Sequence, residues 1–243
     1  LLKVKDRPVV GTIVKPKLGL DADNHAKVAY EAWVGGCDIV KDDENLSSQW
    51  FNPFKERVIK TLAAKFRAEK ETGEKKIYMP NVTAETEEML SRAKFVKEHS
   101  GEYAMVDIIT VGFSGVQSLR QADLGLVLHA HRAMHAAITR NKKHGISMRV
   151  EAKLARVMGM DQLHIGTVVG KMSGGRKEVT TIKNDMLEDW GSVKQTFPVC
   201  SGGLHPGHVE PLVGMLGKDI IIQMGGGIHG HPDGTKAGAT AAR

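Results

Sequence analysis

The sequence is poor in cysteine, in aromatic residues and in long apolar runs, and the shortages of cysteine and of apolar runs each exclude a class of protein. Two cysteines among 243 residues, Cys37 and Cys200, form neither a disulfide framework nor a cysteine-rich zinc site, and they are typical of a chain kept in a reducing cytoplasm. The sequence has no run of about 18 apolar residues that would predict a membrane span. Residues 1–10 lack the apolar core of a signal peptide. We therefore expect a cytoplasmic protein without a membrane partner.

The charge balance is basic. The formal net charge of +6 is compatible with nucleic acid and equally with a small anionic substrate. The lysines are dispersed, aromatic residues make up only 5%, and the sequence contains no nucleic-acid-binding motif. Apolar residues make up 41%, which argues against disorder and suffices for a substantial core. We therefore expect a globular domain that has no nucleic-acid partner.

Eight apolar, β-branched segments of strand length recur along the chain. They lie at residues 9–14, 37–40, 77–82, 104–109, 124–129, 162–167, 197–201 and 219–224. Most are separated by stretches with helical spacing of apolar residues, and strands that alternate with helices predict a parallel sheet. Eight such units predict a closed (β/α)8 barrel, or TIM barrel, over residues 1–243.

Four helical stretches carry a regular apolar stripe. The stripes are Phe54, Val58, Ile59, Leu62 and Phe66 before Gly73; Met89, Ala93 and Val96; Val150, Leu154 and Val157; and Val209, Leu212, Val213 and Leu216 after Pro206. Residues 172–196 are more polar and predict a helix less clearly. Only about 19 residues follow the eighth strand, so we expect the helix that closes the barrel to start near Lys236 and to be cut short at Arg243.

Polar and glycine-rich groups follow six of the eight predicted strands. They are Lys15-Pro16-Lys17, Lys41 to Glu44, His129 to Arg132, His164 to Lys171, Ser201 to Gly203, and Gly225 to Gly227. A charge cluster such as DIVKDDEN at residues 38–45 is ordinarily a solvated turn. Independent turns would not place lysines, histidines and glycines so regularly, and barrels hold their chemistry at the carboxyl ends of the strands. The pattern therefore favours an active site.

Each group suits a chemical role. The glycines at residues 202–203 and 225–227 expose backbone N–H groups that can cradle phosphate oxygens, although such runs are also common in tight turns. Arg132 and Lys171 add positive charge, and Asp43 and Glu44 supply the hard oxygens that Mg²⁺ prefers.

Zinc is an alternative to magnesium that the sequence also suggests. His129 and His131 share one face of a strand, and a His-x-His pair can bind zinc. Metal-dependent hydrolase barrels carry that pair on their first strand with a lysine later, whereas here the order is reversed. We therefore favour magnesium.

Six longer strings, in order, resemble one known family. They are GTIVKPKLGL, GGCDIVKDDEN, HAHRAMHAAITR, HIGTVVGKM, SGGLHPGH and QMGGGIHGHP. Together they resemble the large chain of ribulose-1,5-bisphosphate carboxylase/oxygenase (RuBisCO), from about residue 8 to the end. The strings ENLSSQWFNPF and HGISM are most similar to the archaeal type (form III or II/III), which is associated with nucleotide salvage.

The resemblance implies a magnesium-dependent carboxylase. Lys41 would react with an activating CO2 to form a carbamate, which with Asp43 and Glu44 would hold Mg²⁺ and would take the C3 proton of ribulose 1,5-bisphosphate. The resulting enediolate would react with CO2, or with O2 in the oxygenase reaction. Lys15 would protonate the final carbanion, and His131 would assist proton movement.

It also implies which residues bind the substrate. Lys171, at the tip of a mobile loop, would close over the site and stabilise the new carboxylate, and Lys17 would support the end of the site at which Lys15 acts. Further contacts would come from Gly203, Gly225 and Gly226 to one phosphate, from Arg132 and His164 to the other, and from Ser201 to the hydroxyls between them.

The same family carries an α+β domain ahead of the barrel, which this sequence lacks. In the family that domain lends a glutamate and an asparagine to the neighbouring subunit, so we expect a homodimer or a ring of dimers and an inactive isolated chain. Two alternatives stay open: a RuBisCO-like enolase or isomerase of methionine salvage, and a non-catalytic interaction module.

Overall fold

Eight parallel strands form a barrel surrounded by helices in the computed structural model, which describes residues 2–141, 143–170 and 175–243. The strands are β1 Val9–Ile13, β2 Ile39–Lys41, β3 Ile77–Met79, β4 Tyr103–Asp107, β5 Val127–His131, β6 Gln162–Gly166, β7 Phe197–Ser201 and β8 Ile221–Gln223. Each lies in or overlaps a predicted strand segment. The predicted (β/α)8 architecture is confirmed.

The barrel closes between β3 and β4. Within the sheet the order is β3-β2-β1-β8-β7-β6-β5-β4, so these two strands would otherwise be its edges. Met105 N donates to Pro80 O and Val82 N donates to Met105 O, each at 2.9 Å. These bonds join the edges just beyond β3 and leave the carboxyl ends of all eight strands at one rim.

Helices follow the strands and cover the outside of the barrel. They are α1 Ala22–Val34, α2 Phe54–Thr72, α3 Thr86–Glu98, α4 Ile108–Gln121, α5 His135–Thr139, α6 Met148–Val157, α7 Arg176–Leu187, α8 Val209–Leu216, α9 Gly226–His229 and α10 Gly234–Ala242. None of these described helices combines the length and the apolar character that a membrane crossing requires.

The four helices predicted from apolar stripes are present as α2, α3, α6 and α8. Gly73 ends α2 with a φ of 69°, a backbone conformation that glycine adopts without strain. The helix expected from Lys236 begins slightly earlier, at Gly234, and packs on α1, where Thr240 Oγ1 donates to Gly35 O at 3.0 Å.

The interior of the barrel is apolar below and polar near the rim. Its lower part is filled by Ile39, Ile77, Met79, Tyr103, Met105, Val199 and Ile221. Side chains alternate along a strand, so the next inward positions toward the rim carry Lys41, His131 and Ser201. The apolar floor supports these polar groups and keeps water from beneath them.

Helix α6 is present, but its predicted apolar face was wrong. Val150 and Val157 are 46% and 63% exposed. The buried face consists instead of Met148, Glu151, Ala152, Ala155 and Arg156. Arg156 takes a buried position because its guanidinium binds backbone carbonyls, including Asp185 O and Glu188 O. Glu151 is 1% exposed, and neither of its carboxylate oxygens has a hydrogen-bond partner in the part of the chain that the structure describes.

We expect Glu151→Gln to stabilise the fold in a pH-dependent way. Burial raises the pKa of Glu151 to about 7 from 4.5. Below pH 4.5 the Glu151 carboxyl is protonated in both the folded and the unfolded chain, so its burial does not lower the free energy of unfolding. Between pH 4.5 and 7 only the unfolded chain releases this proton, so the free energy of unfolding falls as the pH rises. The free energy of unfolding of the variant should therefore exceed that of the wild type by on the order of 1–3 kcal/mol above pH 7 and by little near pH 4.5.

Denaturant titrations at several pH values measure this difference. Glu98→Gln, at an exposed position of α3, is the control and should change stability by less than about 0.5 kcal/mol at every pH. A pH-independent gain would show that the proton on Glu151 does not cause the effect.

Candidate active site

Two lysines and two acids meet where β1 and β2 end. Lys41 is fully buried, and its Nζ donates to Asp42 O at 2.8 Å and lies 3.4 Å from Glu44 Oε2. Lys15, just beyond β1, donates from Nζ to Asp43 Oδ2 at 2.5 Å. The structure therefore brings together four predicted site residues from two neighbouring strands.

Asp42, the first of the three acids that follow Lys41, faces the other way. Asp42 accepts hydrogen bonds from Arg57 Nε at 3.0 Å, Tyr78 OH at 2.8 Å and Asn81 N at 3.0 Å, and it lies 3.1 Å from His25 Nε2. Burial would raise the pKa of Asp42, but Arg57 and His25 outweigh it and hold the pKa well below its ordinary value. Asp42 is therefore a buried anchor between β2 and α2.

The remaining acids suit a hard cation. Burial raises the pKa of Glu44, and Lys41, His131 and Lys15 lower it, to about 2, so this carboxylate is ionised at neutral pH. The described residues hold no cluster of three or more histidine, cysteine or acidic ligands. Asp43 and Glu44 beside Lys41 supply two oxygen ligands, and a carbamate on the lysine would supply a third. The set then fits Mg²⁺.

His131 is oriented by an acid that sequence reasoning missed. Its Nδ1 lies 2.8 Å from Asp107 Oδ1, and its Nε2 lies 3.7 Å from Glu44 Oε2. Asp107 is buried and ends β4. The signal was present, because an acid ends an apolar strand at the rim, but the predicted segment ran on to residue 109.

A chain of hydrogen bonds links the next strands inside the barrel. His129 Nδ1 lies 2.9 Å from Gln162 Oε1, and His129 Nε2 lies 2.8 Å from His164 Nε2. His164 Nδ1 lies 2.7 Å from Ser201 Oγ. Both ring nitrogens of His129 are therefore engaged within the protein, which disfavours the zinc alternative.

A cavity of about 390 Å³ connects these groups with the glycine loops. Its lining includes Lys15, Lys41, Glu44, His131, Arg132, His164, Ser201, Gly203, Gly225 and Gly226. Gly202 and Gly203 have φ angles of 116° and 66°, which side chains rarely permit. Lys17 is exposed and is not among these lining residues. Lys171 lies outside the described residues.

Arg132 also lines a second cavity of about 550 Å³ next to the first. Gly166 leaves room for its guanidinium, because a Cβ there would lie 2.8 Å from Nη2. Burial lowers the pKa of Arg132 to about 10, so the side chain stays charged at neutral pH. His135, which sequence reasoning missed, lines both cavities, and burial and Arg132 lower its pKa to about 4.

Comparisons with known proteins agree on one family. The family model described as ribulose bisphosphate carboxylase large chain, catalytic domain, matches residues 1–243. The chain is 56% identical to ribulose bisphosphate carboxylase of Methanocaldococcus jannaschii and 54% identical to that of Methanosarcina mazei, with all of this chain aligned in both cases. It spans about 60% and 61% of the length of those two relatives.

Solved structures of archaeal enzymes have the same fold. The octameric RuBisCO of Pyrococcus horikoshii, in complex with sulfate, superposes with a TM-score of 0.97 at 50% identity, covering 100% of this chain and 57% of that one. The dimeric RuBisCO of Hyperthermus butylicus superposes with a TM-score of 0.93 at 44% identity, covering 100% of this chain and 60% of that one.

Proposed function

Because the chain belongs to the ribulose bisphosphate carboxylase large-chain family, we propose that this barrel carries out the magnesium-dependent carboxylation, with competing oxygenation, of ribulose 1,5-bisphosphate. The products of carboxylation are two molecules of 3-phosphoglycerate. One observation carries the proposal: buried Lys41 and Glu44 line a cavity together with Arg132 and the glycine loops, and Asp43 bonds Lys15, which lines the same cavity. A bis-phosphorylated sugar suits a cavity that is lined both by the Arg132 cation and by glycine N–H groups.

Lys41, Asp43 and Glu44 would hold the metal. When bound, Mg²⁺ supplies positive charge that stabilises the charge developing on the substrate oxygens. Carbamylation requires a neutral amine, so Lys41 must release its proton before it reacts with CO2. Once carbamylated, Lys41 takes the proton from C3 of the substrate and so generates the enediolate that attacks CO2.

Lys15 is the proposed acid that protonates the last carbanion. Its ammonium group now bonds Asp43, so a metal on Asp43 would displace it toward the cavity. Gln223 lines the same cavity, and among the described residues its buried Oε1 has no hydrogen-bond partner, so it is the proposed acceptor for the released ammonium group. His131, held by Asp107, is the proposed proton carrier near C3.

The substrate phosphates would bind at two ends of the cavity. Gly203, Gly225 and Gly226 offer backbone N–H groups to one phosphate, and Arg132 offers a desolvated cation to the other. Both ring nitrogens of His164 bond within the protein, so a phosphate contact there requires one bond to be exchanged. Lys17 and Lys171 keep their proposed roles as supports of the closed site.

We also propose that two copies build each site. The relatives of known structure include a dimer and an octamer. Met134, which lines the cavity, is 64% exposed, and Trp50, between β2 and α2, is 91% exposed. Large apolar side chains of this kind are typical of interfaces. The neighbouring subunit would then cover this face.

The test supplies ribulose bisphosphate, Mg²⁺ and labelled CO2 to a full-length enzyme, meaning a protein of the relatives' full length that carries this barrel. Label in 3-phosphoglycerate is expected. An enolase or isomerase would consume a substrate without fixing label, and an interaction module would show no turnover. Either result would overturn the proposal.

A further inference from the structure

The geometry points to Gln162 as a positioning residue that fixes the hydrogen-bond polarity of Ser201 through His129 and His164. None of the proposed catalytic steps uses Gln162 or His129, yet both are buried in the barrel between β5 and β6. The contact between Ser201 and the substrate rests on the proposed function. The direction of the hydrogen bonds from Gln162 to Ser201 does not.

The two histidines must share one hydrogen between them. Burial lowers the pKa of His129 to about 3 and the pKa of His164 well below its ordinary value, so both rings are neutral at working pH. Their Nε2 atoms face each other at 2.8 Å, and a neutral ring carries hydrogen on one nitrogen only. Two arrangements of the ring hydrogens satisfy this contact, and the hydrogen bonds between Gln162 and Ser201 point in opposite directions in the two.

Gln162 selects one of them. Its Oε1 faces His129 Nδ1 at 2.9 Å, and an amide oxygen can only accept, so the hydrogen of His129 lies on Nδ1. His164 then donates from Nε2, and its bare Nδ1 accepts from Ser201 Oγ at 2.7 Å.

This arrangement determines how Ser201, which lines the proposed substrate cavity, can form hydrogen bonds. Its single hydrogen is committed to His164, so toward the cavity it can only accept. It therefore binds a sugar hydroxyl and offers no hydrogen to a carbonyl or phosphate oxygen. With the Gln162 amide reversed, every bond in the chain would reverse, and Ser201 would donate into the cavity instead.

The direct test is ¹⁵N NMR of the histidine-labelled chain at pH 7. We expect hydrogen on Nδ1 of His129 and on Nε2 of His164. Gln162→Met, which keeps the volume but removes the acceptor, should shift both rings to the opposite tautomers, because the Nδ1 hydrogen would be left without a partner. Gln162→Glu keeps an acceptor and should retain the wild-type pattern; Gln117→Met, at an exposed position of α4, should change nothing.

The kinetic test uses the full-length enzyme. Gln162→Met should raise the KM for ribulose bisphosphate about tenfold, with a smaller change in kcat, because Ser201 would no longer accept the hydrogen that the substrate hydroxyl donates to it. Gln162→Glu should keep the wild-type KM. Wild-type tautomers opposite to those expected, or charged rings, overturn the inference even if no variant folds. Unchanged tautomers in Gln162→Met overturn the role of Gln162.

Two further results separate this inference from the proposed function. Shifted tautomers with an unchanged KM would show that the substrate does not use the polarity of Ser201. If a full-length enzyme has the expected tautomers but fixes no CO2, the proposed function is refuted and the inferred direction of the hydrogen bonds is supported.

Discussion

Replacing Lys41 by arginine is expected to abolish carboxylation by the full-length enzyme. Arginine keeps the positive charge and the approximate length, but its guanidinium stays protonated and cannot form a carbamate. The third oxygen ligand would be lost, and a permanent cation would remain 3–4 Å from Glu44, where Lys41 Nζ now lies at 3.4 Å. We expect kcat/KM to fall by at least about a thousandfold, comparable to or larger than the loss of one oxyanion-hole donor.

Two measurements accompany this assay. Magnesium binding, followed by calorimetry in the presence of bicarbonate, should weaken in parallel, because the carbamate is a ligand of the proposed metal site. Lys76→Arg is the matched control: Lys76 is another fully buried lysine, but it bonds Cys37 O and Glu74 at the opposite end of the barrel. It should cost stability and leave kcat nearly unchanged. A Lys41→Arg enzyme with wild-type turnover would exclude the proposed carbamate chemistry.

Replacing Arg57 by methionine is expected to cost about 3–5 kcal/mol of the free energy of unfolding, because it leaves a buried carboxylate without its main counter-charge. Asp42 and Arg57 are both 0% exposed, and the guanidinium also donates to Asn52 O at 2.9 Å and Ser47 O at 2.7 Å. The substitution therefore removes the ion pair and loosens the segment between β2 and α2 at once.

The cost should depend on pH with a defined sign. The pKa of Asp42 lies below its ordinary 3.8 in the folded chain, so the ion pair stabilises the fold above about pH 4 and loses that effect as the pH falls. The difference between Arg57→Met and the wild type should be full at neutral pH and smaller at acidic pH in denaturant titrations. Arg67→Met, at an exposed position of the same helix, should change stability by less than about 0.5 kcal/mol. Equal effects of the two substitutions would refute the anchor role of Asp42.

The neighbours of the rim residues could not be read from the sequence. His131 and Asp107 are 24 residues apart, and Gln162 and His129 are 33 apart. Such pairs meet only because adjacent strands align in register, with Asp107 opposite His131 and Gln162 opposite His129. The predicted fifth strand ended at His129, whereas β5 runs on to His131. A strand end that is uncertain by two residues hides which side chains face each other.

One wrong prediction and one distinction that the sequence does not show have a common physical origin. The apolar stripe predicted for α6 failed because Arg156 and Glu151 take buried positions through contacts with backbone carbonyls and packing that a hydrophobic pattern does not record. Likewise, three consecutive acids after Lys41 look equivalent in the sequence. Alternation along an extended segment directs Asp42 toward Arg57 on the helix side and Asp43 toward Lys15 on the other side. Only these partners distinguish the buried anchor from the proposed metal ligand.

By itself the sequence determined the eight-fold alternation of strands and helices, the rim at which the polar groups gather, and the family. Local composition and spacing determine these features, because the periodicities of strands and helices and the residues at strand ends are properties of short segments. The tertiary structure decided which polar groups touch: the orientation of Asp42, the support of His131 by Asp107, and the direction of the hydrogen-bond chain from Gln162 to Ser201. Those choices depend on the register between strands that are far apart in the chain, and on burial, which sets the charge of each group only after the barrel has closed.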